Sequence, residues 1–254
     1  MRPTLLAAAL LALAVPSGAV TLLVPAAAAA EDVALRAAVA SEARPAADRA
    51  RDAFRRPYES LTFWGLTPGM TVVEIQPGPA GWWSNILQPY LAATGGTWVG
   101  ANNAQQLAAV ADGSADMVLV ARSVHNWHRA GATDARMAEF ARILKPGGIL
   151  AVEQHRAPEG SDPDATAPTG YVSEAYVIDA AGRAGLALEA RSDLNANPAD
   201  DRDHPFGVWT LPPVRASQQG ERTLTAEERA TFDAIGESDR MTLRLRKPAG
   251  VNTP

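Results

Sequence analysis

The stretch Val72-Val73-Glu74-Ile75-Gln76-Pro77-Gly78-Pro79-Ala80-Gly81-Trp82-Trp83 decides the fold. Met70 to Ile75 is a short apolar, β-branched run of the kind that forms a buried parallel strand. It runs into a Pro/Gly turn, after which Ser84-Asn85-Ile86-Leu87 opens a helical pattern. Strand, glycine turn and helix together let backbone N–H groups and a helix N-terminus face a ligand. The same letters also suit an ordinary βα connection whose glycines only turn the chain.

Working outward, the next strand is Trp98-Val99 after Gly95-Gly96, and the one after it is Met117–Ala121, introduced by Asp112-Gly113-Ser114-Ala115-Asp116. Only about forty residues separate Ile75 from Met117, whereas each βαβ unit takes roughly thirty or more. One βα unit is therefore missing or reduced to loop. The strand ending at Val99 leads to Asn102-Asn103, with no Asp or Glu to hold a ribose diol. Past Met117–Ala121 comes Arg122-Ser123-Val124-His125-Asn126-Trp127-His128, at the end of a strand where open α/β sheets place ligands.

Thr133 is expected to cap a helix carrying Met137, Phe140, Ala141 and Leu144. Lys145-Pro146-Gly147-Gly148 ends it, and Ile149–Glu153 is the next strand, leaving through Gln154-His155-Arg156. Ser173 caps a further helix that stops at Gly185, followed by a strand over Leu186–Ala190. Thr225 and Glu228 form a capping box, and Met241, Leu243 and Leu245 alternate in a last strand. The last two strands lack a long crossover helix, so an antiparallel edge pair is expected. Upstream, Asp32 to Phe54 reads as a helical lead-in broken at Pro45, with Arg49, Asp52, Arg55 and Arg56 on a solvated face. Trp82, Trp83 and Tyr90 are read as core aromatics.

Composition narrows the functional classes. The 254 residues are 47% apolar and 20% charged, enough to bury a core. The net charge of −5, with no basic stripe, gives no reason to expect nucleic acid. Zero cysteines exclude disulfides, thiolate metal sites and cysteine nucleophiles. Arg2 is the only charge before Glu31, Leu5–Leu13 is an apolar segment, and Ala26–Ala30 offers small residues for cleavage. Residues 1–30 thus read as a secretory signal preceding a single domain over 31–254. The expected location is periplasmic or secreted, with no stable membrane insertion after cleavage.

Glu74 to Gly81, the approach Asp112–Asp116 and Leu144-Lys145-Pro146-Gly147-Gly148 resemble class I S-adenosylmethionine-dependent methyltransferases. More closely, the chain resembles a bacterial family of exported predicted methyltransferases. Its marks here include Pro77-Gly78 with Gly81-Trp82-Trp83, Val124–Trp127, Gln154-His155-Arg156 and Gly170–Val177. They continue with Asn195–Pro198, His204-Pro205, Gly207–Pro213 and Ile235–Met241, so that the likeness spans roughly residues 45 to 248. The resemblance implies an α/β fold with a Rossmann-like class I methyltransferase sheet, shortened by about one βα unit and carrying an antiparallel edge strand. It also implies S-adenosylmethionine as cofactor, with weak binding expected because Asn102 and Asn103 stand where a carboxylate would bind more strongly.

On this reading Glu74, Gly78, Gly81, Asn102, Asn103 and Ser123 are the cofactor candidates. Asn126, Trp127, Tyr171, Asn195 and Trp209 are the candidates for a small-molecule substrate. His125 and His155 follow two neighbouring strands and are the catalytic candidates, since neutral imidazole suits a general base. No tight ligand spacing points to a metal, and none is assigned. Three readings stand: a methyltransferase, a methyltransferase-fold binding module without catalysis, and a metal-assisted periplasmic enzyme using the histidines and aspartates.

Overall fold

A computed structural model describes residues 32–250 of the chain. The expected signal segment and its cleavage point lie outside the described residues. The strands are β1 (Thr71–Ile75), β2 (Thr97–Ala101), β3 (Ala115–Ala121), β4 (Leu144–His155), β5 (Ala187–Ser192), β6 (Pro205–Val208), β7 (Gln218–Gln219), β8 (Arg222–Thr223) and β9 (Arg240–Arg246). Six of them form one sheet in the order β2-β1-β3-β4-β9-β5, and β7 and β8 make a separate small hairpin.

Alternation along the parallel strands explains why both faces are covered. Val73, Ile75, Val118, Val120, Leu150 and Val152 pack against helices Thr133–Ile143 and Glu174–Arg183. Val72, Met117, Leu119 and Ile149 face the other way, onto Trp64, Ile86, Leu87 and Tyr90 of helices Pro57–Trp64 and Ser84–Thr94. Burying each of these side chains contributes about 1.5–3 kcal/mol, so the two apolar layers fix the register of the central strands. Trp82, Trp83 and Tyr90 are core residues, as expected.

The shortened topology is present. Between β2 and β3 the chain makes only the helix Ala104–Ala108, capped by the Asn103 side chain accepting from Gln106 N at 2.9 Å. No strand intervenes, so β2 is the sheet edge. At the other end β9 runs antiparallel to both β4 and β5. The antiparallel edge pair is therefore β9 with β5, the reversed strand lying one place in from the edge.

Two local expectations are corrected. Thr133 is the first residue inside its helix, with no side-chain cap at the preceding Ala132, and its hydroxyl instead accepts from Tyr176 at 3.0 Å. Of the lead-in residues expected on a solvated face, Arg56 is exposed and Arg49 and Asp52 are half-buried, but Arg55 is not on that face. Arg55 is fully buried and donates to Glu237 at 2.9 Å, while Arg44 holds Asp52 through two bonds of 2.7 and 2.8 Å. Glu237 comes from the far end of the chain, so nothing near Arg55 in the sequence announces it. Ser173 and the Thr225–Glu228 capping box behave as expected.

Candidate active site

A cleft of about 290 Å³ opens over the carboxyl ends of β3 and β4. β3 ends at Ala121, and Arg122 turns the chain in the left-handed region (φ 57°), its N–H bonded to Glu153 O at 2.7 Å. Helix Val124–Arg129 then presents His125 and Asn126 to the cleft, with Ser123 at its start. β4 delivers His155 from the adjacent strand, and the two imidazole centroids lie 5.9 Å apart. Val208, Trp209, Pro212, Pro213 and Val214 form an apolar wall opposite. The sequence-based pairing of His125 and His155 in one pocket is thus realised, with Asn126, Ser123 and Trp209 beside them.

Buried Gln154 fixes the hydrogen-bonding state of His125. Its Oε1 accepts from Val124 N at 3.1 Å, and its Nε2 donates to Gly170 O at 3.0 Å and faces His125 Nδ1 at 3.2 Å. The amide orientation is set by two backbone groups, so the bond network assigns Nδ1 as an acceptor and puts the neutral ring's hydrogen on Nε2. Burial, with the charges of Arg129 and Arg122 adding to it, pushes His125 down to about 4. Burial, then Arg122, His125, Arg240 and Arg55, hold His155 well below the usual histidine range. Both rings are neutral at pH 7. His155 Nδ1 shares a 2.6 Å bond with Ser238 Oγ.

The floor of the cleft is cationic, which no local pattern in the sequence announced. Glu237 receives Arg51 Nε at 2.7 Å, Arg55 Nε at 2.9 Å and an Arg240 Nη at 2.7 Å. Burial alone would raise this carboxyl, but Arg55, Arg240 and Arg51 outweigh it and hold it at about 2. Arg55 stacks over Trp82, its guanidinium carbon 4.8 Å from the ring centroid. Gln76, Arg55, Arg122, Glu237 and Ser238 are cleft residues that sequence reasoning missed.

The tip of β1 and β2 is organised differently. Glu74 is buried and accepts from Ser84 Oγ at 2.7 Å and Trp98 Nε1 at 2.9 Å. Burial raises its carboxyl, and those two bonds oppose the rise. Trp98 can fold back over β2 because residue 100 is glycine: a Cβ there would meet the indole at 2.7 Å. Gln76 sits at φ 52°, and its Oε1 accepts from Trp127 Nε1 at 3.2 Å. The hollow beside Gln76, Ala101, Asn103 and Trp127 retains only about 10 Å³. Gly78 and Gly81 both have positive φ (66° and 53°), and nothing lies within 4 Å of a Cβ built at Gly78.

Three substrate candidates lie elsewhere. Trp127 is buried against Phe140 (5.4 Å between centroids) because its face of a short helix points into the core. Tyr171 packs edge-on to His155 at 6.0 Å but spends its hydroxyl on Asp200. Asn195 is buried and donates to Ser60 Oγ and Thr242 Oγ1. Asn103 is committed to capping and Asn102 is exposed. Among the described residues, one His/Asp group brings candidate metal-ligating atoms together: Asp200, Asp201 and His204, within 4.8 Å. It does not line the cleft, and Asp200 already accepts from Tyr171, His204, Arg202 N and Asp239 N.

Comparison with known proteins agrees with this architecture. The Methyltransferase domain family matches residues 90–152, which hold β2, β3 and most of β4 but begin after the glycine turn. No curated protein matches the chain in sequence. Among solved structures, one provisionally described as a sarcosine dimethylglycine methyltransferase from Galdieria sulphuraria is 14% identical, with a TM-score of 0.51, covering 80% of this chain and 88% of its own. A SAM-dependent methyltransferase from Aquifex aeolicus is 18% identical over 57% of this chain and 86% of its own, at a TM-score of 0.43. Geranyl diphosphate C-methyltransferase from Streptomyces coelicolor A3(2) is 14% identical over 84% of this chain and 88% of its own, at 0.49. The chain has the Rossmann-like sheet of class I methyltransferases, and its central strands match a methyltransferase domain.

Proposed function

We propose that this protein is an S-adenosylmethionine-dependent methyltransferase acting on a small molecule outside the cytoplasm. The observation that carries the reading is the cleft at the strand ends, where two neutral histidines stand together beyond the β1 turn. The methyltransferase-domain match over residues 90–152 supports the reaction class. The amino-terminal pattern, an apolar run followed by Ala26–Ala30, supports export.

S-adenosylmethionine fits the turn and is resisted by the neighbouring hollow. Gly78 leaves the backbone open, whereas a Cβ at Gly81 would crowd Ser84 at 3.2 Å; Ser123 lines the neighbouring cleft with Gln76. Gln76 bonded to Trp127 narrows the space on the β2 side, in keeping with weak binding. When bound, the cofactor supplies an electrophilic methyl group. The chain's own residues orient the acceptor and take its proton. Neutral His155 is assigned as the base: with its Nδ1 taken as the donor in the 2.6 Å bond to Ser238 Oγ, Nε2 keeps its lone pair. His125, whose Nδ1 already accepts, is a donor that positions the acceptor atom. His125 and His155, both catalytic candidates in the sequence, thus take different roles, one donor and one base.

A binding protein without catalysis is the second reading, favoured by the closed β1–β2 tip. Isothermal titration with S-adenosylmethionine, beside a metal analysis of the same preparation, separates the two. Micromolar or weaker binding with no metal is expected, and transfer of labelled methyl to a small molecule from a periplasmic extract completes the case. Absence of any cofactor binding would overturn the methyltransferase. Intact mass of the periplasmic protein should correspond to a chain beginning near Glu31, and full-length chain in the inner-membrane fraction would refute export.

A further inference from the structure

Arg55 is fully buried where it lines the cleft, and two of its three guanidinium nitrogens are unused. Its Nε is on Glu237 and its plane lies over Trp82, yet Nη1 and Nη2 are buried without a partner. Leaving such donors unpaired costs about 1–3 kcal/mol or more. Arg122, at the exit of β3, likewise has a buried Nε with no partner. Around them four guanidiniums, from Arg51, Arg55, Arg122 and Arg240, face two buried carboxylates, Glu153 and Glu237. Burial first, and then the charge of Arg122, press Arg55 down to about 9 and hold His155 well below the usual histidine range; burial, with Arg129 and Arg122 adding to it, does the same to His125.

We infer that the cleft binds a small molecule through an anionic group, a carboxylate or a phosphate, seated on the free edge of Arg55 and on Arg122. The guanidinium fork matches the paired oxygens of such a group, and its Glu237 and Trp82 contacts hold it in place beforehand. His125 adds a neutral donor through Nε2, and Trp209, 5.9 Å from His125, offers an apolar face for the rest of the molecule. The substrate class is therefore an anion with an apolar or aromatic body. This rests on the cleft being the substrate site, but not on methyl transfer taking place there.

Two sources can supply that anionic group: the substrate, or the carboxylate of S-adenosylmethionine. The assignment is to the substrate, because the arginines lie at the β3–β4 end and not on the Gly78–Gly81 turn. The test is titration of the purified full chain with inorganic phosphate, with benzoate and with S-adenosylmethionine, at fixed ionic strength against a chloride control. Both anions should bind, benzoate more tightly than phosphate because it also covers Trp209. Arg122→Gln should weaken both at least tenfold with little change in melting temperature, since three guanidiniums remain for the two buried carboxylates. Arg55→Lys, which keeps the charge but loses the fork, should do the same where it folds. No binding of either anion above the chloride control would overturn the inference, leaving a hydrated charge cluster only. Unchanged anion binding in Arg122→Gln would also overturn it. So would competition between S-adenosylmethionine and phosphate with parallel loss of both in Arg122→Gln, which would give the site to the cofactor. Anion binding without any cofactor binding would uphold the inference while defeating the methyltransferase reading, so the two fail separately.

Discussion

At the tip of β1 and β2, Glu74, Gln76, Trp98 and Trp127 have found partners among themselves and Ser84, whereas at the tip of β3 and β4 Arg55 and Arg122 keep donors with none. Both halves of the sheet's carboxyl edge bury polar side chains. One spends them on its own closure and leaves a hollow of about 10 Å³; the other leaves them facing a cleft of about 290 Å³. Buried polar groups without partners are costly and are tolerated where they have a ligand to meet. The contrast locates recognition over β3 and β4 and makes the β1–β2 tip the part that a cofactor would have to loosen.

The largest effect should come from breaking the open half at its anchor. Glu237→Gln leaves Arg51, Arg55 and Arg240 without their shared carboxylate, and removing one partner of a buried ion pair costs about 3–5 kcal/mol. Urea unfolding should show that loss, and a change below about 1 kcal/mol would mean the cluster is hydrated and weakly coupled. Acid should act next. His125 is held at about 4 in the fold against an ordinary value of 6.5, so between those pH values the unfolded chain takes up a proton that the folded chain refuses. Stability therefore falls as pH drops from about 6.5 to 4, by roughly 3 kcal/mol from this residue. His155 adds to the fall in the same direction. In His125→Asn the pH dependence over this window should flatten; an unchanged slope would show that His125 is not desolvated.

The fold was far more legible in the sequence than the cleft. The order of elements, the lost βα unit and the antiparallel partner of the edge strand follow from spacing and periodicity, which are local properties. His125 and His155 could be paired because adjacent parallel strands bring their ends together. The cationic floor could not be read, since Arg55 looked like one of several surface arginines and its partner Glu237 lies 182 residues away. Trp127 and Asn195 were misplaced for a related reason. A residue near a strand end can turn inward, and only tertiary packing decides which way it faces. Gln76 carried one usable signal: it is a polar side chain standing directly between the strand and the Pro77–Gly81 turn, and the fold puts it at φ 52°.

That residue offers a way to weaken the contrast. Gln76→Gly removes the side chain that holds Trp127 and suits the positive φ, so the two effects on stability oppose each other and nearly cancel. Freed of a neutral hydrogen bond worth about 0.5–1.5 kcal/mol, the hollow should open more readily, raising S-adenosylmethionine affinity by up to about tenfold. Calorimetric titration of wild type and variant measures it. Equal affinities would mean that closure at β1–β2 does not oppose the cofactor.

The smallest change asks whether the turn between the two halves touches a ligand at all. Gly78 has φ 66°, and a Cβ there would find nothing within 4 Å. In the unliganded protein Gly78→Ala therefore costs only backbone strain, about 1 kcal/mol for an L-residue in the left-handed region. Gly78→Val sets its Cβ in the same open space, with an added penalty for the branched side chain. Any larger loss must come from something that fills that space when it binds. If the turn cradles S-adenosylmethionine, binding should weaken more than the melt suggests, and more for valine than for alanine. If both variants lose stability while the cofactor binds as before, the turn is only a connection, and recognition belongs to the β3–β4 end alone.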